Sequence, residues 1–496
     1  MERGKIQLAD LPESLDDLLA HNPDRLWCFW DLDQTAAPLL STLPLSAQKD
    51  LYKNGKVVWN KYDIFYEPTK ILCICYDGGE NVKFYNLCQY FPDYELSMPA
   101  DIDIAERCVQ ELSNALQSMG IWTKTLTSPA AIYENYYMGT LDIPTVNDIS
   151  KFDRSLLEFA INCADKEWTE TFKIGHFNKV YEYDISGAYP NIVRNLYDPR
   201  DMEVKQSEDY QDSIYGYALC EFEIIDKAMA CPIVFVDPSG KQSNPTGFRR
   251  DYLTKAEIDF IRRYKIGTVD VIDGWWLSPR VKVQPLEHVL ERLLEYKKSS
   301  VPLVKFLAKE MSAGIYGKFG QEFRNGVGKY YNPVWFAETS SQCRLKVGEF
   351  IYKNKCWPDL IQVRKDSVMT TRPLELSPGW RLSYEGEALV ISNDLTFLEN
   401  RHPKHWTLEE VKTLFTEHPN TAYYEKKLES VVTLEDAHKR KAYKELGLGK
   451  HAISSVDLFR VNYTRQFRKM PECGGDVMKR VYESSPLTTD KILKYK

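Results

Sequence analysis

The chain has 496 residues, 43% apolar and 27% charged, with a net charge of −7, enough for a large core and about three domains. No apolar run approaches the ~20 residues that cross a bilayer, and Met1-Glu2-Arg3-Gly4-Lys5 leads into polar sequence without a secretory pattern, which argues against membrane insertion and export. The 11 cysteines are scattered and form no CxxC, with Cys73 and Cys75 the one close pair; this argues against zinc fingers and disulfide frameworks and favours a reducing, cytoplasmic setting.

In chain order, Leu26-Trp27-Cys28-Phe29-Trp30, Ile71 to Cys75 and Val82 to Tyr85 are strand-like, and Ile102 to Met119 is helical. Together they predict a mixed α/β N-terminal domain over 1–150. Val180-Tyr181-Glu182-Tyr183 alternates as a strand does. Asp184 stands at its end, and Ile185-Ser186-Gly187-Ala188-Tyr189-Pro190 turns the chain into a helix starting near Asn191. A carboxylate on a strand end, beside backbone N–H groups at a helix start, suits a divalent metal and a phosphate together. Between Lys241 and Lys309 there are 14 Lys and Arg against 8 Asp and Glu, a basic stretch that fits either a phosphate-backbone groove or solvated helix faces.

Residues 285–318 carry apolar positions at helical spacing, with Pro302 as an interruption. On that helix Lys305 and Lys309 share one face, downstream of Lys297 and Lys298. Tyr316-Gly317 then offers an aromatic plate beside a residue that permits close approach. Phe336 to Lys353 is helical in pattern, and Leu360 to Thr370 is predicted as strand, turn, strand with Arg364-Lys365-Asp366 at the turn. A second acid in a strand context, Asp394, follows Ala388 to Ile391. Residues 407–416 open a C-terminal region of helices and short strands.

The segment Tyr183 to Pro190 resembles the first palm motif of family B DNA polymerases, and Lys309 to Gly317 resembles the second, with Ala313-Gly314 where the family has Asn-Ser. The stretch from Tyr296 to Phe319 is most similar to the protein-primed bacteriophage subgroup. In the third motif the family's first acid is replaced by Arg364 and the following Thr by Lys365, and Asp366 falls on the second, metal-binding acid; Asp394 is the rival placement. The resemblance covers roughly residues 175–385 and extends loosely to Phe459–Gln466.

This resemblance implies an α/β (α+β) right-hand polymerase with palm, fingers and thumb, behind a reduced ribonuclease H-like exonuclease-type domain. The implied domains are 1–150 exonuclease-like, 151–285 palm with an insertion near 232–285, 286–330 fingers, 331–400 second palm part and 401–496 thumb and tail. Asp184 and Asp366, with the Ile185 main chain, would hold two Mg²⁺, with Mn²⁺ as a substitute. Ser186, Gly187, Ala188, Tyr189, Lys297, Lys305, Lys309 and Tyr316 would bind the nucleotide, and Gly317, Lys318, Arg364 and Lys365 would meet template and primer. Phe29 to Thr35 resembles a degraded first exonuclease motif; Asp31 and Asp33 alone fall short of a two-metal nuclease, and turn capping is the competing role. The expected activity is template-directed DNA synthesis, in viral or mobile-element replication, with template and primer DNA, dNTPs and a terminal protein or processivity factor as partners. Only 49 positions separate Gly317 from Asp366, so a strand-displacement insertion there is expected to be short or missing. Two other readings are a polymerase-like nucleic-acid-binding protein without synthesis, and a priming enzyme that adds a nucleotide to a protein or makes a short primer.

Overall fold

The computed structural model describes residues 26–60, 62–76, 80–91, 102–123, 126–149, 154–225, 229–323, 326–401, 403–434, 451–460 and 464–494. They fall into two compact units: Met1–Leu141 with Arg292–Gly314 and Lys427–Ser455, and Asp142–Glu291 with Ile315–Lys426 and Val456–Lys496.

The first unit holds strands β1 (Leu26–Phe29), β2 (Lys56–Trp59), β3 (Tyr62–Glu67), β4 (Ile71–Tyr76) and β5 (Glu80–Asn86) in the order β1-β5-β4-β3-β2. The run β2 to β5 is an antiparallel meander, and β1 joins its edge parallel to β5. Along β3, Tyr62, Ile64 and Tyr66 are buried while Asp63 and Phe65 are exposed, the period-2 pattern of a sheet covered on one face. The buried face packs with Leu32, Ala36 and Leu40 of the helix Leu32–Ser41. Asp33 lies in the first turn of that helix, beyond the end of β1. Its carboxylate accepts from the Tyr66 hydroxyl at 2.7 Å and the Thr69 amide at 2.8 Å, and Asp31 accepts from the Asp33 amide at 3.1 Å. These bonds tie a helix start to the β3–β4 turn, a local structural use of Asp.

The second unit is built on an eight-stranded sheet. Its path runs β19 (Leu395–Leu398), β18 (Trp380–Ser392), β7 (Lys173–Ile185), β17 (Ser367–Thr370), β16 (Leu360–Arg364) and β6 (Thr169–Thr171). A separate four-stranded antiparallel sheet carries β8 (Met202–Ser207), β9 (Tyr215–Ile224), β12 (Gly247–Thr254) and β13 (Gly267–Pro279) in the order β12-β9-β13-β8. The other two strands of the large sheet lie off that path, Tyr482–Ser485 pairing with β7 and Gln466–Phe467 pairing with Tyr482–Ser485, and there are two small hairpins, β10 (Phe235–Val236) with β11 (Gln242–Ser243) and β14 (Glu322–Phe323) with β15 (Gly326–Val327). The expected interruption at Pro302 is a break between two helices, Glu287–Tyr296 and Pro302–Phe319, with the proline opening the second, where its missing N–H costs nothing.

The helix Pro333–Asn354 packs on the central sheet. Asn332 caps it by accepting from the Trp335 amide, and Trp335, Val347 and Ile351 are buried. Its Phe350 ring meets Tyr183 of β7 at 5.7 Å and stacks on Trp380 of β18 at 3.9 Å. The same helix carries Arg344, which is buried and ion-paired at 2.7 Å with Glu257. Glu257 in turn closes a capping box with Thr254 at the start of the helix Lys255–Tyr264. A buried pair of this kind contributes little net stability while intact and leaves a costly lone charge if one partner goes.

Candidate active site

Asp184 sits one residue before the end of β7, the strand at the middle of the sheet path, and its position is fixed from both sides. Ser367 of β17 pairs with it on one side and Arg381 of β18 on the other. Asp366 and Lys365 form the two-residue turn between β16 and β17, flanked by the pair Arg364 and Ser367. Lys365 takes a left-handed conformation, φ 54°, as the first residue of such a tight hairpin does. The Ile185 amide donates to the Asp366 carbonyl at 3.1 Å, which brings the turn against the end of β7.

The two acids therefore come close: burial, followed by the charge on Asp184, pushes the Asp366 carboxyl up to about 6. Two carboxylates held this close repel each other and are a donor set that fits a divalent cation, which relieves the same repulsion. Among the described residues no group of three or more His, Cys, Asp or Glu gathers as a metal cluster, so further ligands would come from the Ile185 main chain, water or substrate oxygens. Asp394 does not join the pair: it is exposed in the turn between β18 and β19.

Arg364 and Lys365 turn to other partners. Burial lowers the Arg364 guanidinium, Arg401 lowers it further, and Glu182 and Asp394 oppose the shift. Its charge environment thus includes the Glu182–Arg401 ion pair, closed at 2.9 Å. Lys365 bonds Glu167 at 3.0 Å.

Gly187 has φ 63° and precedes the short helix Ala188–Val193, a conformation that costs glycine nothing. The Ser186 amide donates to the Gly379 carbonyl at 2.8 Å. With the Ile185 amide also engaged, two of the backbone donors that follow Asp184 serve the fold. Tyr189 stacks on Tyr316, centroids 4.5 Å apart and planes 11° off parallel, and Tyr316 leans on Phe336 at 4.8 Å. Burial raises both tyrosine hydroxyls well above their ordinary value. The two rings line a narrow cleft with Glu167, Cys343, Arg344 and Lys365.

Gly317 is exposed, and a side chain added there would meet nothing within 4 Å. Lys318 follows it on the same helix. In the first unit, Lys305 and Lys309 are exposed, Lys309 lying 3.9 Å from Glu310, and Lys297 follows the helix Glu287–Tyr296. Also there, a Cβ on Gly314 would fall 2.7 Å from the Ala130 side chain. The departure Ala313-Gly314 thus lets the helix Pro129–Tyr136 come close.

Two charged residues at the site escaped the sequence reading. Arg381 places a guanidinium nitrogen 2.7 Å from Asp184 Oδ2, and Glu167 holds Lys365 at the mouth of the tyrosine cleft. Only the pairing of β7 with β18 reveals Arg381, which lies 197 residues from Asp184.

The frame of the site is an antiparallel sheet that sets Asp366, in a hairpin turn, beside Asp184 at a strand end, backed by a long buried helix. The fold matches solved structures of phi29 DNA polymerase, of the protein-primed family B class. Against the complex "with primer-template DNA and incoming nucleotide substrates" the TM-score is 0.58 at 14% identity, over 90% of this chain and 93% of that one. Against an orthorhombic crystal form and a complex with single-stranded DNA the scores are 0.59 and 0.57, at the same identity and coverage. No protein-family model matches the chain, and no curated protein is significantly similar in sequence; the likeness is one of fold. Among the described residues no helix is long and apolar enough to cross a membrane.

Proposed function

We propose that the chain is a template-directed DNA polymerase that adds deoxynucleotides to a primer 3′ hydroxyl. The observation that supports this reading most is the placement of Asp366, in the turn before β17, beside Asp184 at the end of β7, in a fold shared with solved DNA polymerases. Asp184 and Asp366 are the residues that would hold Mg²⁺. Two ions bound there would supply the positive charge that the attacking 3′ oxygen and the departing pyrophosphate require.

The chain's own groups do the positioning. Tyr189 lies under the sugar, where its ring leaves no room for a 2′ hydroxyl, and Tyr316 braces it and packs on the nascent base pair. Gly317 and Lys318 accept the template strand. On the sequence pattern, Lys297, Lys305 and Lys309 are assigned to the triphosphate, and Arg364 and Lys365 to the primer side. A terminal protein or a processivity factor is the proposed partner, and viral or mobile-element replication the proposed setting.

The test is extension of a labelled primer on a DNA template with Mg²⁺ and dNTPs. Extension by the wild-type chain, and its loss by about 100-fold or more in Asp184→Asn and in Asp366→Asn, is the expected result. Full extension by the double variant overturns the reading. The second reading, nucleic-acid binding without synthesis, draws support from the Arg381–Asp184 ion pair. It predicts salt-sensitive DNA binding with no incorporation in Mg²⁺ or Mn²⁺.

A further inference from the structure

The carboxylate of Asp184 already has a cationic partner within the chain. Arg381 reaches it from the neighbouring strand, nitrogen to Oδ2 at 2.7 Å, with its side chain 64% exposed and that of Asp184 22% exposed. Three contacts hold the Arg381 backbone in register. The Trp380 ring stacks on Phe350 at 3.9 Å, the Trp380 amide donates to the Ser377 carbonyl at 3.0 Å, and the Ser186 amide donates to the Gly379 carbonyl at 2.8 Å. The Cα of Arg381 therefore stays opposite that of Asp184, while the guanidinium projects into solvent along a flexible stem. An exposed ion pair of this kind contributes little to the fold, so rotation of one side chain releases Asp184 without moving a strand.

The guanidinium takes up part of that oxygen's acceptor capacity and sets a positive charge 2.7 Å from it, so it opposes a divalent ion arriving at the carboxylate. Resting on the assignment of Asp184 and Asp366 to the metal, we propose that Arg381 is the resident counter-ion of Asp184, exchanged for the incoming cation, and that it sets the affinity of the acid pair for that cation. It acts through Asp184, as a charge that the pairing of β7 with β18 keeps beside the carboxylate. An arginine whose role was only to stabilise the sheet would leave metal affinity unchanged when replaced.

The test is a titration of the full-length chain with Mn²⁺, read by the free-ion paramagnetic signal, with no DNA or nucleotide present. Wild type, Arg381→Gln, Arg381→Lys and Asp184→Asn are compared, each first shown to melt as the wild type does. Arg381→Gln is expected to bind Mn²⁺ about 5- to 20-fold more tightly, because one neighbouring charge no longer competes or repels. Arg381→Lys, which keeps the charge, is expected to stay within about 3-fold of wild type, and Asp184→Asn to lose the site. Equal or weaker binding by Arg381→Gln overturns the proposal, as does equally tight binding by Arg381→Gln and Arg381→Lys. The outcome is separable from the polymerase reading: tighter Mn²⁺ binding without primer extension sinks that reading alone, and extension with unaltered Mn²⁺ affinity sinks this one alone.

Discussion

Glu338 gives the most direct test of how the second unit tolerates its buried charges. It lies in the helix Pro333–Asn354 at 2% exposure, with Oε2 accepting from Gln342 at 3.2 Å and no partner for Oε1 among the described residues. Burial drives its carboxyl up to about 8, while the hydrogen bond from Gln342 pulls the other way. An unfolded glutamate titrates near 4.5. Between those values the folded chain keeps a proton that the unfolded chain has lost. Stability from this group is complete below the lower value and disappears as pH rises through the upper one. At 1.36 kcal/mol per pH unit the full displacement is worth at most about 5 kcal/mol, and relaxation around the charged group brings the measurable part to about 2–4 kcal/mol. Glu338→Gln keeps the shape and removes the titration. Urea denaturation at pH 5, 7 and 8.5 should show the variant gaining on wild type by about 2–4 kcal/mol across that range, with the difference under about 1 kcal/mol at pH 5. Parallel stability curves for the two proteins would refute the reasoning.

Two more expectations concern residues of the proposed site. Gly317 stands in a helix with open space beside it, so Gly317→Ala should stabilise the free protein by about 0.5–1 kcal/mol; if the template backbone passes there, the same change weakens primer-template binding, and the opposed signs are read by thermal melting and by DNA titration. Tyr189→Val should narrow the preference for dNTPs over rNTPs by about 10- to 100-fold while Tyr189→Phe preserves it; an unchanged ratio in Tyr189→Val would remove Tyr189 from sugar selection.

Asp184 was legible because its motif is local: an alternating strand, an acid and a glycine-bearing turn within a few residues. Asp366 was legible through the strand-turn-strand pattern around it, despite the altered neighbours. The fate of Arg364 was not, because its surroundings, Glu182, Arg401 and Asp394, come from three separate segments. Arg381 was hidden for the same reason: its partner depends on the pairing of β7 with β18, which shifts register between Leu382 and Tyr384. The pair of Arg344 with Glu257 spans 87 positions, and no short pattern encodes it. Local geometry is written in contiguous residues, whereas the charge environment of a site is assembled by the sheet.

The strand that bears Asp184 is also hydrogen-bonded at its other end to a strand near residue 482, with Tyr482 opposite Ile174. Nearby, Arg465 and Glu170, both buried, close an ion pair at 2.5 Å. During synthesis, β7 leaves the ribosome some 300 residues before this partner does, a delay of about 15–60 s at 5–20 residues per second. Over that interval a half-paired strand and an unmatched glutamate stay open to chaperones or to a second nascent chain. The strand that bears Asp184 is therefore among the last parts of the sheet to be secured, and the yield of folded protein should depend on translation speed and crowding more than the stability of the finished sheet suggests.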